Sequence, residues 1–307
     1  ANPIAGNGNF ATQYNIHGQS LALGWTDVLS PTVVNQFHFG FSREYAHSDP
    51  IGLKLGKSLA STYGLRGIPD GPYSAGIPPI NIGGLQRLGS SPWRPQFQVA
   101  QVWQGLDSLS LLRGTHSFQL GYEYHRTGDN FLDIEAPQSQ LFANGSFTNQ
   151  NGFGAADFLL GNIDGVQFVT PLVVHNYMPG HAVYGQDTWR ATSNLTLIYG
   201  LRYELFAPVL NRQNQTANFT PANGGGLLTA SNGSWYNRAL IHPDFKNFAP
   251  RFGVSYHAFR SVVFRGGYGI FYQHAQRIGS EAITQLNPPY LVNTNSFQQF
   301  GSSTPVF

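Results

Sequence analysis

Hydrophobic and polar positions alternate one by one along several stretches of the chain. In 194–204 the odd positions Leu195, Leu197, Tyr199, Leu201 and Tyr203 are apolar or aromatic. The even positions Thr196, Ile198, Gly200, Arg202 and Glu204 carry the charge. Successive side chains of a strand point to opposite faces, so this period of two predicts a strand with one greasy and one charged face. Phe118, Leu120, Tyr122 and Tyr124 alternate in the same way with Gln119, Gly121, Glu123 and His125. So do Phe37, Phe39 and Phe41 with His38, Gly40 and Ser42, and Phe252, Val254 and Tyr256 with Arg251, Gly253, Ser255 and His257. The pattern predicts strands near 17–27, 33–45, 97–111, 116–126, 181–190, 194–206, 248–258 and 262–273, with the alternation blurred in 181–190 and 262–273. Strands of this kind run to ~9–13 residues against a usual ~5–6, and a membrane-spanning strand needs ~9–11.

The connections sort into two kinds. Tight turns fall around Ser30-Pro31, Arg113-Gly114, Ala191-Thr192-Ser193 and Phe259-Arg260-Ser261. The intervening segments 47–96, 127–180, 207–247 and 274–307 are long and rich in Gly, Pro, Asn and Ser, as in Pro69-Asp70-Gly71-Pro72 and Gly224-Gly225-Gly226. Short turns at one end and long loops at the other define an outer-membrane barrel. Strand 116–126 then runs outward and strand 181–190 inward, so an even number of strands lies between them. Two are expected, near 139–148 and 164–174, with a short helix over 154–160 in the inner-end turn joining them. The fold class expected is all-β: an antiparallel up-and-down transmembrane barrel, about ten strands of a larger one of ~22, in one domain over 1–307.

Composition agrees with a wall rather than a solvated globule. Only 10% of residues are charged, 17 Lys+Arg against 15 Asp+Glu, where soluble domains carry ~25%. The 23 Phe, 15 Tyr and 5 Trp exclude disorder. A net charge of +2 gives no nucleic-acid footprint. With no Cys there is neither a disulfide framework nor a thiolate metal site. No apolar run is long enough for a transmembrane helix, the longest resembling Phe158-Leu159-Leu160. The chain opens Ala1-Asn2-Pro3 without an initiator Met or signal peptide and reads as a fragment or a processed chain.

Trp25 and Trp189 precede short turns, and Tyr256 and Phe259 flank another. These are the expected interface aromatics of a barrel rim. Glu123, Arg202, Glu204, Arg251 and Arg265 fall on strands, mostly on the non-greasy face, and are the lumen-facing candidates. They line the substrate path, contact a plug or, more simply, form structural ladders along the wall. A charge on the lipid face costs ~2–4 kcal/mol near the midplane.

Other chemistry finds little support. The 10 His are scattered, from His17 and His38 to His257 and His274, with no H-E-x-x-H spacing, and no metal site is expected. Most Asp fall in turns, as do Asp27, Asp49 and Asp70, so a glycosidase carboxylate pair is not evident. There is no G-x-S-x-G elbow or Walker loop. Gly266-Gly267-Tyr268-Gly269 lies in a strand, where small residues let something bulky pack on the wall. N-x-S/T triplets at Asn144, Asn194, Asn214, Asn218 and Asn232 are read as chance. No enzyme activity and no cofactor are expected.

Certain motifs carry a family likeness. His181 through Tyr184, Gln186, Asp187, Trp189 and Arg190, followed by Asn194 to Glu204, resembles a hairpin of TonB-dependent receptor barrels. Asn247-Phe248-Ala249-Pro250-Arg251-Phe252-Gly253 and Arg265 to Tyr272 resemble the next hairpin; Ala156 to Gly161 and Gly114 to Gly121 fit as well. The chain is similar, over about 17–273, to the Oar-like receptors abundant in acidobacteria. The resemblance implies an outer-membrane location, lipid as a partner, and uptake of a large unknown solute with energy delivered through TonB. It also implies a plug and a carboxypeptidase-regulatory-like domain, neither evident in this chain, nor is a TonB box. The terminal Gly301 to Phe307 does not alternate like a last barrel strand, so the chain reads as an early-to-middle portion whose missing strands come from the rest of the barrel. Two other readings remain open: a non-transporting adhesion or secretion barrel, and a soluble carbohydrate-binding β-sandwich.

Overall fold

The computed structural model describes residues 12–56, 58–65, 67–68, 70–148, 153–259, 261–273 and 283–298. Pro69, Arg260, His274 and Phe307, named above in turns, among the histidines or at the end, lie outside the described residues. In chain order the strands are β1 (Thr12–Ser30), β2 (Val33–Pro50), β3 (Ile80–Ile82), β4 (Gln96–Arg113) and β5 (His116–Leu132). Then come β6 (Gln140–Ala143), β7 (Gly165–Val169), β8 (Val174–Arg190), β9 (Leu195–Phe206) and β10 (Leu210–Asn211). The last are β11 (Ala217–Thr220), β12 (Gly226–Thr229), β13 (Phe248–Phe259), β14 (Val262–Gly269) and β15 (Asn293–Phe297).

Eight long strands form one antiparallel wall in the order β1-β2-β4-β5-β8-β9-β13-β14. The wall is an open sheet, a partial barrel with up-and-down topology. Its inner turns are tight: Pro31-Thr32 joins β1 to β2, and Gly114-Thr115 joins β4 to β5 with Gly114 at φ 59. That left-handed conformation is what a two-residue hairpin requires and glycine adopts freely. At the other end, 51–95, 133–173 and 207–247 make the long connections.

Register holds the alternation in phase from strand to strand. Trp25 pairs with Phe37, and Phe37 with Asp107; Glu123 pairs with Ala182, and Ala182 with Glu204. One face therefore collects Leu21, Phe39, Trp103, Leu120, Val183, Leu201, Phe252 and Phe264. The other collects Ser20, Gly40, Gln104, Glu123, Arg202 and Arg251. Among the described residues nothing covers this face between the tight turns and the outer end: Trp25 is 67% exposed, Leu23 57% and Tyr268 70%. A soluble sandwich buries such rows between two sheets, so the sandwich reading fails.

The expected wall strands near 139–148 and 164–174 are not in the wall. β5 and β8 are direct neighbours, paired from Phe131↔Val174 to His116↔Trp189, so the parity requirement is met with no strand between them. The segments instead give β6 and β7, of four and five residues. These belong to a second sheet, β15-β7-β6-β3, at the outer end. Leu141, Ala143, Val166 and Val169 are all buried, and so are Gln140 and Gln167 between them. Burial of both strand faces suits a small core and not a wall with one wet side. The helix forms at Ala155–Leu159, but within this outer-end segment and not in an inner turn. Ile80, Ile82, Leu141, Ile163 and Val166 make one apolar cluster of the outer layer, and Leu132, Ile134, Ala136 and Val169 another. No helix among the described residues is long and apolar enough to cross a membrane.

Candidate functional site

The polar face supplies the candidate site. Arg202, on β9, brings two carboxylates together. Its Nε donates to Glu204 Oε1 at 2.5 Å, and its NH2 group donates to Glu123 Oε2 at 2.8 Å. Gln104 on β4 donates to the other Glu123 oxygen at 3.2 Å. The side chains of Arg202, Glu123 and Glu204 are 17%, 25% and 12% exposed, so the trio is largely desolvated on an otherwise open face. Charge-assisted bonds as short as the two from Arg202 are strong; one of them crosses β8 and the other joins alternate residues of β9, while the Gln104 bond links neighbouring strands.

Glycines make room for aromatics beside the trio. A Cβ on Gly121 would collide with the Tyr184 ring, so that ring lies over Gly121, with its centre 5.8 Å from Arg202 Cζ. Phe206 covers Gly180 in the same manner. A cleft of about 150 Å³ opens between Gln119, Tyr184, Gln186, Arg202 and Arg251.

Three of the five sequence-selected charges are thus one cluster. Arg251 borders the same cleft, with its guanidinium 4.8 Å from the Phe271 ring centre. Phe271 in turn packs on Gly269, which gives the glycine run of β14 a bulky neighbour. Arg265 stands opposite Ser255, exposed and apart from the cluster. Of the sequence-selected aromatics, Trp25, Trp189 and Tyr256 lie on the greasy face near the tight turns, and Phe259 follows a register shift after His257.

Several polar groups escaped the sequence reading. Asp187 is on the greasy face, yet it is only 4% exposed. It accepts from Tyr199 OH at 2.7 Å and meets His116 Nδ1 at 2.7 Å. The His116 ring is stacked on Phe118 and Trp189 at 5.6 and 5.4 Å. The 181–190 stretch alternates weakly because this carboxylate interrupts it. Asp107, also on that face, accepts from Asn35 at 2.8 Å.

At the outer end a second cavity, about 200 Å³, is lined by Tyr14, Ser48, Gln96, Gln98, Phe131 and Asp133. A hydrogen bond with Arg94 holds the Tyr14 hydroxyl below its ordinary range. Close by, Asp129 is 1% exposed, and burial raises its carboxyl from 3.8 to about 6 against the opposing hydrogen bond from Gln98. In the outer layer Asp157 accepts the N–H groups of Phe147 and Thr148 at 3.0 and 2.9 Å. Burial opposes its ionisation, yet these bonds keep it below the usual carboxylate range. Among the described residues no three His, Asp or Glu side chains form a group able to hold a metal ion.

The family described as outer membrane beta barrel domain matches residues 1–307. No curated protein matches the chain.

Proposed function

The chain belongs to the outer membrane beta barrel domain family, and on that premise we propose that it is part of the wall of an Oar-like TonB-dependent receptor that takes up a large solute. Its place is the bacterial outer membrane, where the greasy face meets lipid. The observation that carries the reading is the sorting of the two faces. Eight strands gather most of their Leu, Phe, Trp and Tyr on one side, while Glu123, Arg202, Glu204 and Arg251 stay on the other. A polar inner skin with fixed charges suits a wall that surrounds a hydrated path or a plug. The wall is passive in this reading and performs no reaction. The plug and the TonB contact lie in other parts of the protein.

The cavity beneath Tyr14 and Phe131 faces the same side at the outer mouth. Its aromatic rings and amides suit transient contact with a polar solute. A second reading, surface adhesion without transport, draws on the folded outer layer, whose four-stranded sheet gives the outer loops a fixed surface.

One experiment separates the two. Labelled maltodextrin and a labelled decapeptide are offered to cells carrying the full-length gene, to its deletion strain and to a TonB-null strain. Uptake lost in both mutants supports transport. Uptake intact in both, with cell–cell or surface attachment lost in the deletion strain, replaces it with adhesion.

A further inference from the structure

Two arginines stand on the lipid side of the wall. Arg43 of β2 continues the row of Phe37, Phe39 and Phe41, and Arg126 of β5 continues that of Leu120, Tyr122 and Tyr124. Phe41 pairs with Trp103 and Trp103 with Arg126, while Arg43 pairs with Gln101. The two cations are therefore on strands separated only by β4 and offset by two residues along it, about 12 Å apart between backbones at the usual strand spacing and rise. Each lies eleven residues beyond its tight inner turn, counted from Thr32 and from Thr115. At ~3.3 Å per residue and a tilt of ~40°, that height is roughly 28 Å, just over the top of an apolar band ~25 Å tall. The guanidiniums sit where hydrocarbon gives way to the headgroups of the outer leaflet.

Neither arginine has a carboxylate partner among the described residues. The register turns Glu44, Glu123, Asp129 and Glu204 to the opposite face. Arg126 is steadied instead by the Tyr177 ring, 4.8 Å from its Cζ, and the same Tyr177 accepts from Arg238 at its hydroxyl, 2.7 Å away. Below them Tyr122 and His181 share a 2.7 Å hydrogen bond, which completes an aromatic belt. Two cations without anions at a lipid boundary call for anions from the lipid, and a guanidinium fork fits a phosphate in a bidentate manner.

We propose that Arg43 and Arg126 bind the phosphates of an outer-leaflet lipopolysaccharide headgroup, the phosphorylated disaccharide lying across β2, β4 and β5. Two phosphates at the ends of a disaccharide match two cations at this spacing. The inference needs the wall in its membrane and is independent of transport.

The test is native mass spectrometry of the full-length protein in detergent with bisphosphorylated lipid A, monophosphorylated lipid A, phosphatidylcholine or inorganic phosphate. Bisphosphorylated lipid A is expected to bind best. The double variant R43Q/R126Q is expected to lose it by about tenfold or more, while K54Q, a cation of the outer loops, retains it. Should the double variant fail to fold, R43Q and R126Q singly are each expected to weaken binding about threefold or more. Unchanged binding in the folded variants overturns the proposal. So does equal retention of phosphatidylcholine, or inorganic phosphate binding as well as lipid A. A dimer that these substitutions dissolve while lipid A stays bound assigns the surface to a second copy and also overturns it.

Discussion

Arg202 on β9 and Glu123 on β5 form a 2.8 Å ion pair across β8, a strand that neither belongs to, over the small side chain of Ala182. Two strand spacings separate the partners' backbones, ~10 Å, so the bridge depends on a long cation and on nothing bulky between. Removing the cation leaves two mostly covered carboxylates facing each other. Arg202→Met is expected to lower wall stability by about 1–3 kcal/mol, less than for a fully buried pair because water still reaches the trio. The triple substitution R202M/E123Q/E204Q, which removes the uncompensated charge, is expected to recover most of that loss. Urea midpoints of protein refolded into vesicles measure both. A triple variant no better than the single shows that the trio does not act as one electrostatic unit.

The two faces of β9 make an opposite pair of predictions. Leu197 is in the greasy row between Trp189 and Val254, whereas Ile198 lies on the polar side against Gly253. Leu197→Arg is expected to cost about 2–4 kcal/mol of membrane folding, and Ile198→Arg at most about 1 kcal/mol. The fraction of chain that resists trypsin after mixing with vesicles reads the difference. Equal damage at both positions means that the faces are misassigned.

The wall was legible because a strand wet on one side and greasy on the other writes its own period into the sequence. That period singles out Glu123, Arg202 and Glu204. Their meeting is not legible in it, because only register brings residues 79 positions apart to one point. The outer layer is not legible in the sequence for the opposite reason: Leu141, Val166, Gln140 and Gln167 are buried on both faces of their strands, which leaves no alternation to read. Its contacts are also remote. β15 pairs with β7, and Asn287 donates to the Ala217 carbonyl at 2.9 Å, joining segments that no local pattern connects. The wall strands likewise extend past their expected outer ends, as β1 does from residue 17 back to Thr12, since chain beyond the membrane has no reason to alternate.

The outer layer rests in part on two aspartates. Asp164 accepts from the Asn144 and Ser146 N–H groups at 2.7 and 3.3 Å, as Asp157 does from Phe147 and Thr148. Asp157→Ala leaves two N–H groups without their acceptor, at a cost of about 1–3 kcal/mol each before water re-enters. The expected outcome is local: brief proteolysis gains a cut within 144–162, while the wall keeps its heat-resistant mobility on gels. Asp157→Asn, which retains one acceptor oxygen, is expected to be cut more slowly than the alanine variant. Loss of the whole wall together with the loop means that the layer and the barrel fold as one unit.

Asp129 predicts a pH dependence whose sign is fixed by its surroundings. The group lies fourteen residues beyond Thr115, above the membrane-spanning part of β5. Gln98 faces it from β4 and Asn176 from β8, neither of which carries charge. Its Oδ1 is buried without a hydrogen-bond partner among the described residues. Burial lifts the folded-state value from 3.8 to about 6. Between those values the folded chain holds a proton that the unfolded chain has released. Stability therefore falls as pH rises from about 4 to about 6, by about 2–3 kcal/mol at most, and then levels off. Asp129→Asn copies the protonated form. It is expected to match the unsubstituted protein near pH 4 and to exceed it above pH 6, other titrating groups cancelling in the difference. Denaturation midpoints measured for both proteins from pH 4 to 8 decide the matter. Curves that stay parallel throughout show that Asp129 ionises as freely in the folded wall as in the open chain.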